Sequence, residues 1–225
     1  MNELVLNEEL LLGQGCHKKV YLHPQTANKC VKVIYNELGM KDITRELNYR
    51  KYRDDNNMPT TVIPQYFGEI TTNLGKGYVF ERICDYDGKT SLSLRDYVLN
   101  PEMMKANFAD LVVLLQKLKR QIMADNLVTM GVTDENILVC RISPTAKRLY
   151  LITDLGTSDF IPITKIRFFA KKKIKRKWAR LIQEISGEQK QFREKNNAPQ
   201  TAPVIYDATT EGAYAELLQS LLDAI

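Results

Sequence analysis

The first 85 residues alternate short apolar runs with turn residues, a pattern typical of antiparallel strands. One stretch, 40–53, instead places its apolar residues at helical spacing, and two prolines follow it as breakers. The strands that the pattern predicts are Leu11–Gly15, Val20–Pro24, Lys29–Tyr35, Gln65–Thr71 and Gly77–Ile83. This part of the chain is therefore expected to form a small antiparallel sheet with one helix after its third strand.

The second half of the chain carries longer stretches with the periodicity of helices. Asn100 suits a helix N-cap, and Pro101 suits the first helical position. From Phe108 to Ile122 the apolar residues then stay on one helical face. The later elements predicted are strands at Ile137–Arg141 and Leu149–Thr153, a basic helix with an apolar stripe from Ile174 to Ile185, a polar linker at 186–210 and a helix at 211–225.

These patterns predict an α+β chain in three parts. Residues 1–84 form a lobe of sheet plus one helix, and residues 85–185 form a larger helical lobe. Residues 186–225 form a polar linker and a C-terminal helix. The length of 225 residues, 44% of them hydrophobic and 26% charged, suits such lobes and excludes a disordered chain, a coiled coil or a disulfide miniprotein.

The net charge of +5 comes from one segment. Lys165–Arg180 holds nine of the 32 Lys and Arg and no acid, so the remaining 23 face 27 acids, for a net charge of −4. The segment could bind an anionic partner: lipid, an envelope precursor, an acidic protein or nucleic acid. Because Ile174 and Trp178 belong to an apolar stripe of core type, a solvated face of a packed helix is the favoured interpretation.

The chain is expected to be cytoplasmic and to have no transmembrane segment. Its first 12 residues include three acids and no basic n-region, which excludes a secretory signal. No apolar run approaches the ~20 residues that span a bilayer. The four cysteines form no Cys-x-x-Cys pair and there are two histidines, so no zinc site of recognised spacing can be written.

Three motifs in the first lobe suggest phosphate binding. Gly13 and Gly15 lie in a predicted hairpin, where the absence of Cβ atoms lets backbone N–H groups approach an anion. Lys32 lies in the third strand, where its ammonium could meet phosphate oxygens. Glu46 follows 14 residues later in the predicted helix and could fix that lysine as an ion pair.

Two further motifs suggest a magnesium site. Asn136 precedes one predicted strand and Asp154 ends the next, before Leu155-Gly156. An amide and a carboxylate oxygen are ligands that Mg²⁺ takes beside nucleotide phosphates. Each motif is weak alone, but their joint order is specific and predicts a bilobal protein-kinase-like fold.

In this order the motifs resemble the kinase-like family of bacterial PhoP regulatory network proteins, the YrbL type. The resemblance runs over about residues 9–185. The segments that carry it are Gly13–Gly15, Val20–Pro24, Cys30–Val33, Arg45–Leu47, Ile63–Gly68, Thr71–Gly77, Phe80–Ile83, Asp87-Gly88, Asn136–Val139 and Asp154–Gly156.

The resemblance implies that ATP and Mg²⁺ bind between the two lobes, with residues 80–86 as a hinge beside the base. The residues that it implies for the nucleotide are Gly13, Gly15, Val20, Lys32, Glu46 and Glu81. The residues that it implies for the metal are Asn136 and Asp154, and Asp154 also belongs to the expected catalytic residues.

The chain departs from the kinase pattern where the chemistry occurs. The aspartate that accepts the substrate proton in kinases lies five residues before the metal-binding asparagine, and Gly131 occupies that position here. Asp134 could substitute as the base or could equally cap the loop, and Lys18 replaces the third glycine of the hairpin. Two functions stay open: an atypical phosphotransferase acting on a protein, a metabolite or an envelope-precursor sugar, or a pseudokinase that binds nucleotide or a partner and transfers nothing.

Overall fold

Five antiparallel strands and one long helix form the amino-terminal lobe of the protein. The computed structural model describes residues 3–152, 155–157, 171–183 and 185. Helix α1 (Glu37–Asp55) lies between the third and fourth strands, and the sheet order is β1-β2-β3-β5-β4. The strands are β1 (Leu11–Gln14), β2 (Lys18–Leu22), β3 (Lys29–Ile34), β4 (Tyr66–Thr72) and β5 (Gly75–Glu81).

Local sequence signals explain where these elements begin and turn. Asn36 caps α1, because its side-chain oxygen accepts a hydrogen bond from the Gly39 N–H at 2.8 Å. The β4–β5 hairpin turns at Gly75, whose φ of +99° is accessible to glycine at little cost. Helix α1 begins at Glu37, three residues before the start predicted at Met40, since the cap fixes its first turn.

The segment before β1 covers the outer face of this sheet, which the sequence pattern did not predict. Leu4 pairs with Thr72 in a parallel bridge, and the Leu6 N–H donates to the Asn73 side chain at 2.8 Å. A small apolar cluster on this face contains Leu4, Leu6, Tyr21, Val31 and Val33. The segment is therefore part of the amino-terminal lobe.

The second lobe combines helices with a small sheet. Its helices are α2 (Leu94–Leu99), α3 (Pro101–Ala124) and α4 (171–183), and its strands are β6 (Leu92–Ser93), β7 (Ile137–Arg141) and β8 (Lys147–Leu151), in the order β6-β7-β8. The main apolar core of the protein lies here, and the apolar stripe of α4 enters it. No helix among the described residues is both long and apolar enough to cross a bilayer.

The α+β architecture predicted from the sequence is confirmed, with differences at the shorter elements. Strand β8 covers Lys147–Leu151 rather than beginning at Leu149, because its antiparallel register places Lys147 opposite Arg141. Helix α2 and strand β6 were not predicted, since each is too short to show periodicity. The linker and helix predicted at 186–225 lie outside the described residues.

Helix α1 connects the two lobes. The Tyr49 hydroxyl donates to the Asn126 carbonyl at 3.2 Å and accepts from the Val128 N–H at 2.8 Å. The Arg53 guanidinium donates to the Asp125 carbonyl at 3.1 Å. Both side chains are buried, and Tyr49 belongs to the core of the second lobe. The carboxyl-terminal half of α1 is thus fixed to the turn after α3, while its first half lies against the sheet.

Candidate functional site

A buried lysine lies at the centre of the candidate site. Lys32, on β3, is 5% exposed. Its ammonium donates to the Ile152 carbonyl at 3.1 Å and lies 4.0 Å from the centre of the Phe80 ring. The nearest carboxylate oxygen that pairs with it, Oε2 of Glu46, is 3.9 Å away. Strand β3, strand β5 and helix α1 therefore all contribute to the environment of one charge.

Glu46 forms ion pairs with two cations, Lys32 and Arg50. It lies on α1 and is 4% exposed. Its Oε1 accepts hydrogen bonds from Nε and Nη2 of Arg50 at 3.0 and 2.8 Å, while Oε2 faces Lys32. Burial alone would raise the pKa of Glu46, but Lys32 and Arg50 together hold this pKa below its ordinary value. The carboxylate is therefore ionised at neutral pH and bound more closely to Arg50 than to Lys32.

Lys32 loses its proton more readily than an ordinary lysine. Burial lowers its pKa from 10.5 to about 8, although Glu46 raises it. Lys18 and Arg50 lower the pKa of Lys32 further, because each brings another positive charge. At neutral pH the ammonium is mostly protonated, and it loses its charge within one or two pH units above neutrality.

A cleft of about 290 Å³ opens in front of this lysine. The side chains and backbone that line it come from both lobes and include Gly15, Lys18, Lys32, Glu46, Glu135 and Asn136. Four of the residues singled out in the sequence, Gly15, Lys32, Glu46 and Asn136, are thus brought together around one space. The charged and amide side chains of the lining are two cations, the Asn136 amide and the carboxylates of Asp42, Glu46 and Glu135.

The β1–β2 turn presents backbone to this space. The Gly15 N–H donates to the Lys18 carbonyl at 2.9 Å, which closes the turn. A Cβ atom added to Gly13 or to Gly15 would meet no atom within 4 Å. The backbone at both glycines therefore borders open space, where a phosphate could approach it.

The same turn is fastened to the start of α1. The Asn36 side chain donates to the Cys16 carbonyl at 3.0 Å, in addition to capping the helix. Gly39 lies against the turn so closely that a Cβ atom there would be 2.7 Å from the His17 carbonyl oxygen. The position of α1 therefore determines both the glycine turn and the Glu46 carboxylate.

Asp134 is a structural residue in this arrangement. It is fully buried, and its Oδ1 accepts the Glu135 N–H at 2.9 Å. Arg95 of α2 pairs with both of its oxygens, at 3.2 Å each. Asp134 does not line the cleft beside Lys32. These contacts hold the turn Asp134–Asn136 in place, and the role of Asp134 as a base stays a prediction.

Asn136 reaches the cleft from that turn. Its carbonyl accepts the Ile152 N–H at 2.9 Å, which joins the turn to the segment after β8. The second predicted metal ligand, Asp154, lies outside the described residues. Within the described ranges no group of three His, Cys, Asp or Glu side chains could hold a metal alone. Of the two predicted Mg²⁺ ligands, Asn136 therefore lines the cleft, and the magnesium site stays a prediction.

Gly156, which follows Asp154 and Leu155 in the sequence, lies where a larger residue would crowd helix α1. Gly156 has a φ of +89°, and a Cβ atom there would lie 3.2 Å from Cγ of Arg45 and from Cβ of Tyr49. Its N–H donates to the Val128 carbonyl at 2.9 Å. This glycine therefore allows α1 to approach the segment that carries the predicted metal-binding aspartate.

Three predicted nucleotide residues do not line the cleft beside Lys32: Gly13, Val20 and Glu81. Val20 packs against the apolar cluster that contains Phe80. The Glu81 carboxylate accepts the Gln65 N–H at 3.0 Å and lines a second cleft of about 520 Å³. The Glu81 side chain therefore faces the amino-terminal end of β4, while its carbonyl accepts the Cys30 thiol at 3.8 Å.

Two important residues were missed from the sequence. Arg50 follows Glu46 by one helical turn, so the i,i+4 spacing of opposite charges was a readable signal. Arg95 pairs with Asp134 across 39 positions of sequence. It lies on the short helix α2, and no local pattern indicated that contact.

Comparisons with known proteins agree on one family. The profile of the family described as PhoP regulatory network protein YrbL matches residues 4–186. Two relatives described as uncharacterized protein YrbL, from Escherichia coli (strain K12) and Shigella flexneri, are each 35% identical over 180 residues, which cover 79% of this chain and 85% of theirs. A double mutant of the PknI kinase domain of Mycobacterium tuberculosis aligns at 12% identity with a TM-score of 0.40, covering 64% of this chain and 57% of that domain. The described elements themselves form a bilobal, kinase-like α+β fold.

The lowered pKa of Lys32 predicts how stability depends on pH. Between about pH 8 and 10.5 the unfolded chain still holds a proton on Lys32 that the folded protein has lost, so raising the pH stabilises the folded state. We expect the unfolding free energy of the wild type, minus that of Lys32→Met, to rise across this window by up to roughly 3 kcal/mol. Urea unfolding of both proteins at pH 7.5, 9 and 10.5 measures this, and a difference independent of pH would contradict it.

Proposed function

We propose that this chain, which belongs to the family of PhoP regulatory network proteins of the YrbL type, binds Mg²⁺–ATP in the cleft beside Lys32 and acts as a cytoplasmic regulatory module without phosphoryl transfer. The proposal depends on one observation: the buried Lys32–Glu46 pair lines the same cleft as Gly15 and Asn136. The four free thiols suit the reducing cytoplasm.

The residues of the cleft match the parts of a nucleoside triphosphate. Lys32 offers a point cation to phosphate oxygens, and the turn at Gly15 offers backbone beside open space. Asn136, with Asp154, would hold Mg²⁺, which neutralises phosphate charge when it is bound. The adenine base would lie toward the hinge at 80–86, where the Glu81 carbonyl accepts a weak hydrogen bond from the Cys30 thiol.

We infer the absence of phosphoryl transfer from the loss of the proton-accepting carboxylate at position 131. Gly131 has no side chain to accept the proton of a substrate hydroxyl. The nearby carboxylate of Asp134 is fully buried and pairs with Arg95 through both oxygens. A base in that state is poorly placed to receive a proton. Nucleotide would therefore act as a ligand that stabilises one arrangement of the two lobes.

An atypical phosphotransferase is the second candidate, and the retained Lys32–Glu46 pair favours it. Kinase catalysis depends mainly on positioning and on metal charge, so the loss of the base does not exclude turnover. The acceptor would be a protein, a small metabolite or an envelope-precursor sugar. Asp134 or a bound water would then have to take the proton.

The basic helix α4 supports a further part of the proposal, an anionic partner. Its apolar residues Ile174, Trp178, Leu181 and Ile182 are 0–2% exposed and belong to the core. Four of its five exposed residues are cations, namely Lys171, Lys172, Arg176 and Arg180, and the fifth is Gln183. Because the apolar face is already packed, α4 would bind anionic lipid, an envelope precursor or an acidic protein through charge alone, without inserting into a membrane.

The nucleotide proposal predicts a thermal shift that depends on Lys32. We expect Mg²⁺–ATP at about 100 times its Kd to stabilise the wild type by about 2.7 kcal/mol, or roughly 5–10 °C in Tm. Lys32→Ala and Asp154→Asn should lose most of this shift. Lys29→Ala, on the same strand but the opposite face, is the matched control and should retain it. ATP hydrolysis by the wild type should not exceed that of Lys32→Ala.

The other outcomes distinguish the candidates. No thermal shift in the wild type would contradict nucleotide binding in both candidates. Hydrolysis that disappears in Lys32→Ala would overturn the regulatory module in favour of the phosphotransferase. If Asp134→Asn folds and also loses this hydrolysis, Asp134 is the base, whereas retained hydrolysis would assign the proton to water.

The basic-surface proposal predicts binding without a change in the environment of Trp178, the single tryptophan. We expect the protein to sediment with phosphatidylglycerol vesicles at low salt and the Trp178 emission maximum to stay constant. Combined Lys172→Gln, Arg176→Gln and Arg180→Gln substitutions should abolish sedimentation. A shifted emission would contradict the packed apolar face, and no sedimentation at low salt would exclude lipid as the partner.

A further inference from the structure

Arg50 and Lys32 compete for one carboxylate. Arg50 holds Oε1 of Glu46 with two donors, at 3.0 and 2.8 Å, whereas the Lys32 ammonium is 3.9 Å from Oε2. A two-donor guanidinium contact at these distances is much stronger than a single ionic contact at 3.9 Å. In this structure Glu46 is therefore bound mainly to Arg50.

The competition takes place in an enclosed environment. Both Lys32 and Arg50 lie over the Phe80 ring, at 4.0 and 5.2 Å from its centre. The Arg50 Nη1 also donates to the Pro64 carbonyl at 2.9 Å, which helps to fix the guanidinium. Within this cluster two cations share one carboxylate, so Glu46 cannot fully compensate both of them.

We propose that Arg50 is a positioning residue that sets how closely Glu46 pairs with Lys32, and through this how firmly the cleft can hold phosphate. The effect on phosphate rests on the proposed function, whereas the effect on the ion pair does not. When Arg50 holds Glu46, Lys32 is left partly uncompensated, so an anion in the cleft can supply the missing charge. When Arg50 is withdrawn, Glu46 can close on Lys32.

The groups that act on Lys32 come from every element around it. Glu46 and Arg50 face it from α1, Lys18 acts from β2, and the Cys30 thiol lies on the same strand. The Phe80 ring of β5 and the Ile152 carbonyl complete the surroundings. Among these groups, Arg50 bonds directly to the carboxylate that pairs with Lys32.

The test follows the Lys32 ammonium by side-chain NMR in ¹⁵N,¹³C-lysine-labelled protein without nucleotide. Lys32→Met identifies the signal by its loss. Arg50→Met keeps the aliphatic stem and should raise the Lys32 titration midpoint by about one pH unit, because Glu46 can approach and a nearby cation is lost. Glu46→Gln should lower the midpoint.

A double-mutant cycle separates the competition from simple repulsion. In the Glu46→Gln background, Arg50→Met should raise the midpoint by less than half as much, since no carboxylate remains to be released. Arg50→Lys keeps the charge but not the two-donor contact and should give a smaller rise. If Arg50→Met does not fold, Arg50→Lys decides the question by itself.

Arg53→Met is the matched control, since it removes another buried guanidinium from α1 that contacts backbone carbonyls rather than Glu46. It should leave the Lys32 midpoint unchanged. The proposal is overturned if Arg50→Met folds without moving the midpoint, if both backgrounds give equal shifts, or if Arg53→Met gives the same rise. When Arg50→Lys alone decides, an unmoved midpoint overturns it.

The effect of Arg50 on nucleotide binding is measured in a separate experiment. With Mg²⁺–ATP, the fall in affinity between pH 7 and pH 9 should be smaller in Arg50→Met than in the wild type, in step with the Lys32 midpoint. A wild type that binds no Mg²⁺–ATP contradicts the proposed function, whereas the apo titration still tests the role of Arg50. An unchanged pH dependence beside a raised midpoint would overturn the link to phosphate.

Discussion

The burial of the Lys32 ammonium is the constraint on which the rest of this structure depends. A lone charge in such a place is costly, so the fold has to bring it a carboxylate, a carbonyl and a ring. Helix α1 supplies Glu46, and it can do so because Tyr49 fixes the helix to the turn after α3. The close approach permitted by Gly156 serves the same end. These contacts of α1 thus hold the two lobes in place around the Lys32 ammonium.

This constraint also bears on the proposal that the site binds a nucleotide without transferring phosphate. The residues proposed to position phosphate and metal, from Lys32 to Asn136, meet at one cleft. The element that would accept a proton is different, because Gly131 lacks a side chain and the Asp134 carboxylate is used to hold the turn through Arg95. A fold that has the first set of residues without the second agrees with the proposed role in binding a nucleotide without transfer.

The sequence pattern predicted what local chemistry determines. Alternation located the five strands of the sheet, the N-cap at Asn100 located α3, and the order of glycine, lysine, glutamate and asparagine predicted the residues that now share a cleft. It could not predict contacts that depend on packing. The partition of Glu46 between Arg50 at 2.8 Å and Lys32 at 3.9 Å depends on how these side chains pack, and the Arg95–Asp134 pair depends on a helix of six residues. The register of β8 depended on its partner strand in the same way.

The central claim is that a nucleotide meets the protein through its phosphates at Lys32. The most direct measurement adds Mg²⁺–ATP, and separately adenosine, to protein labelled in both its lysines and its glycines at pH 7 and observes the Lys32 ammonium together with the Gly13 and Gly15 amides. The account predicts that Mg²⁺–ATP shifts all three signals and that adenosine leaves the Lys32 signal unchanged. Binding of Mg²⁺–ATP that leaves Lys32 and both glycines unperturbed would contradict it.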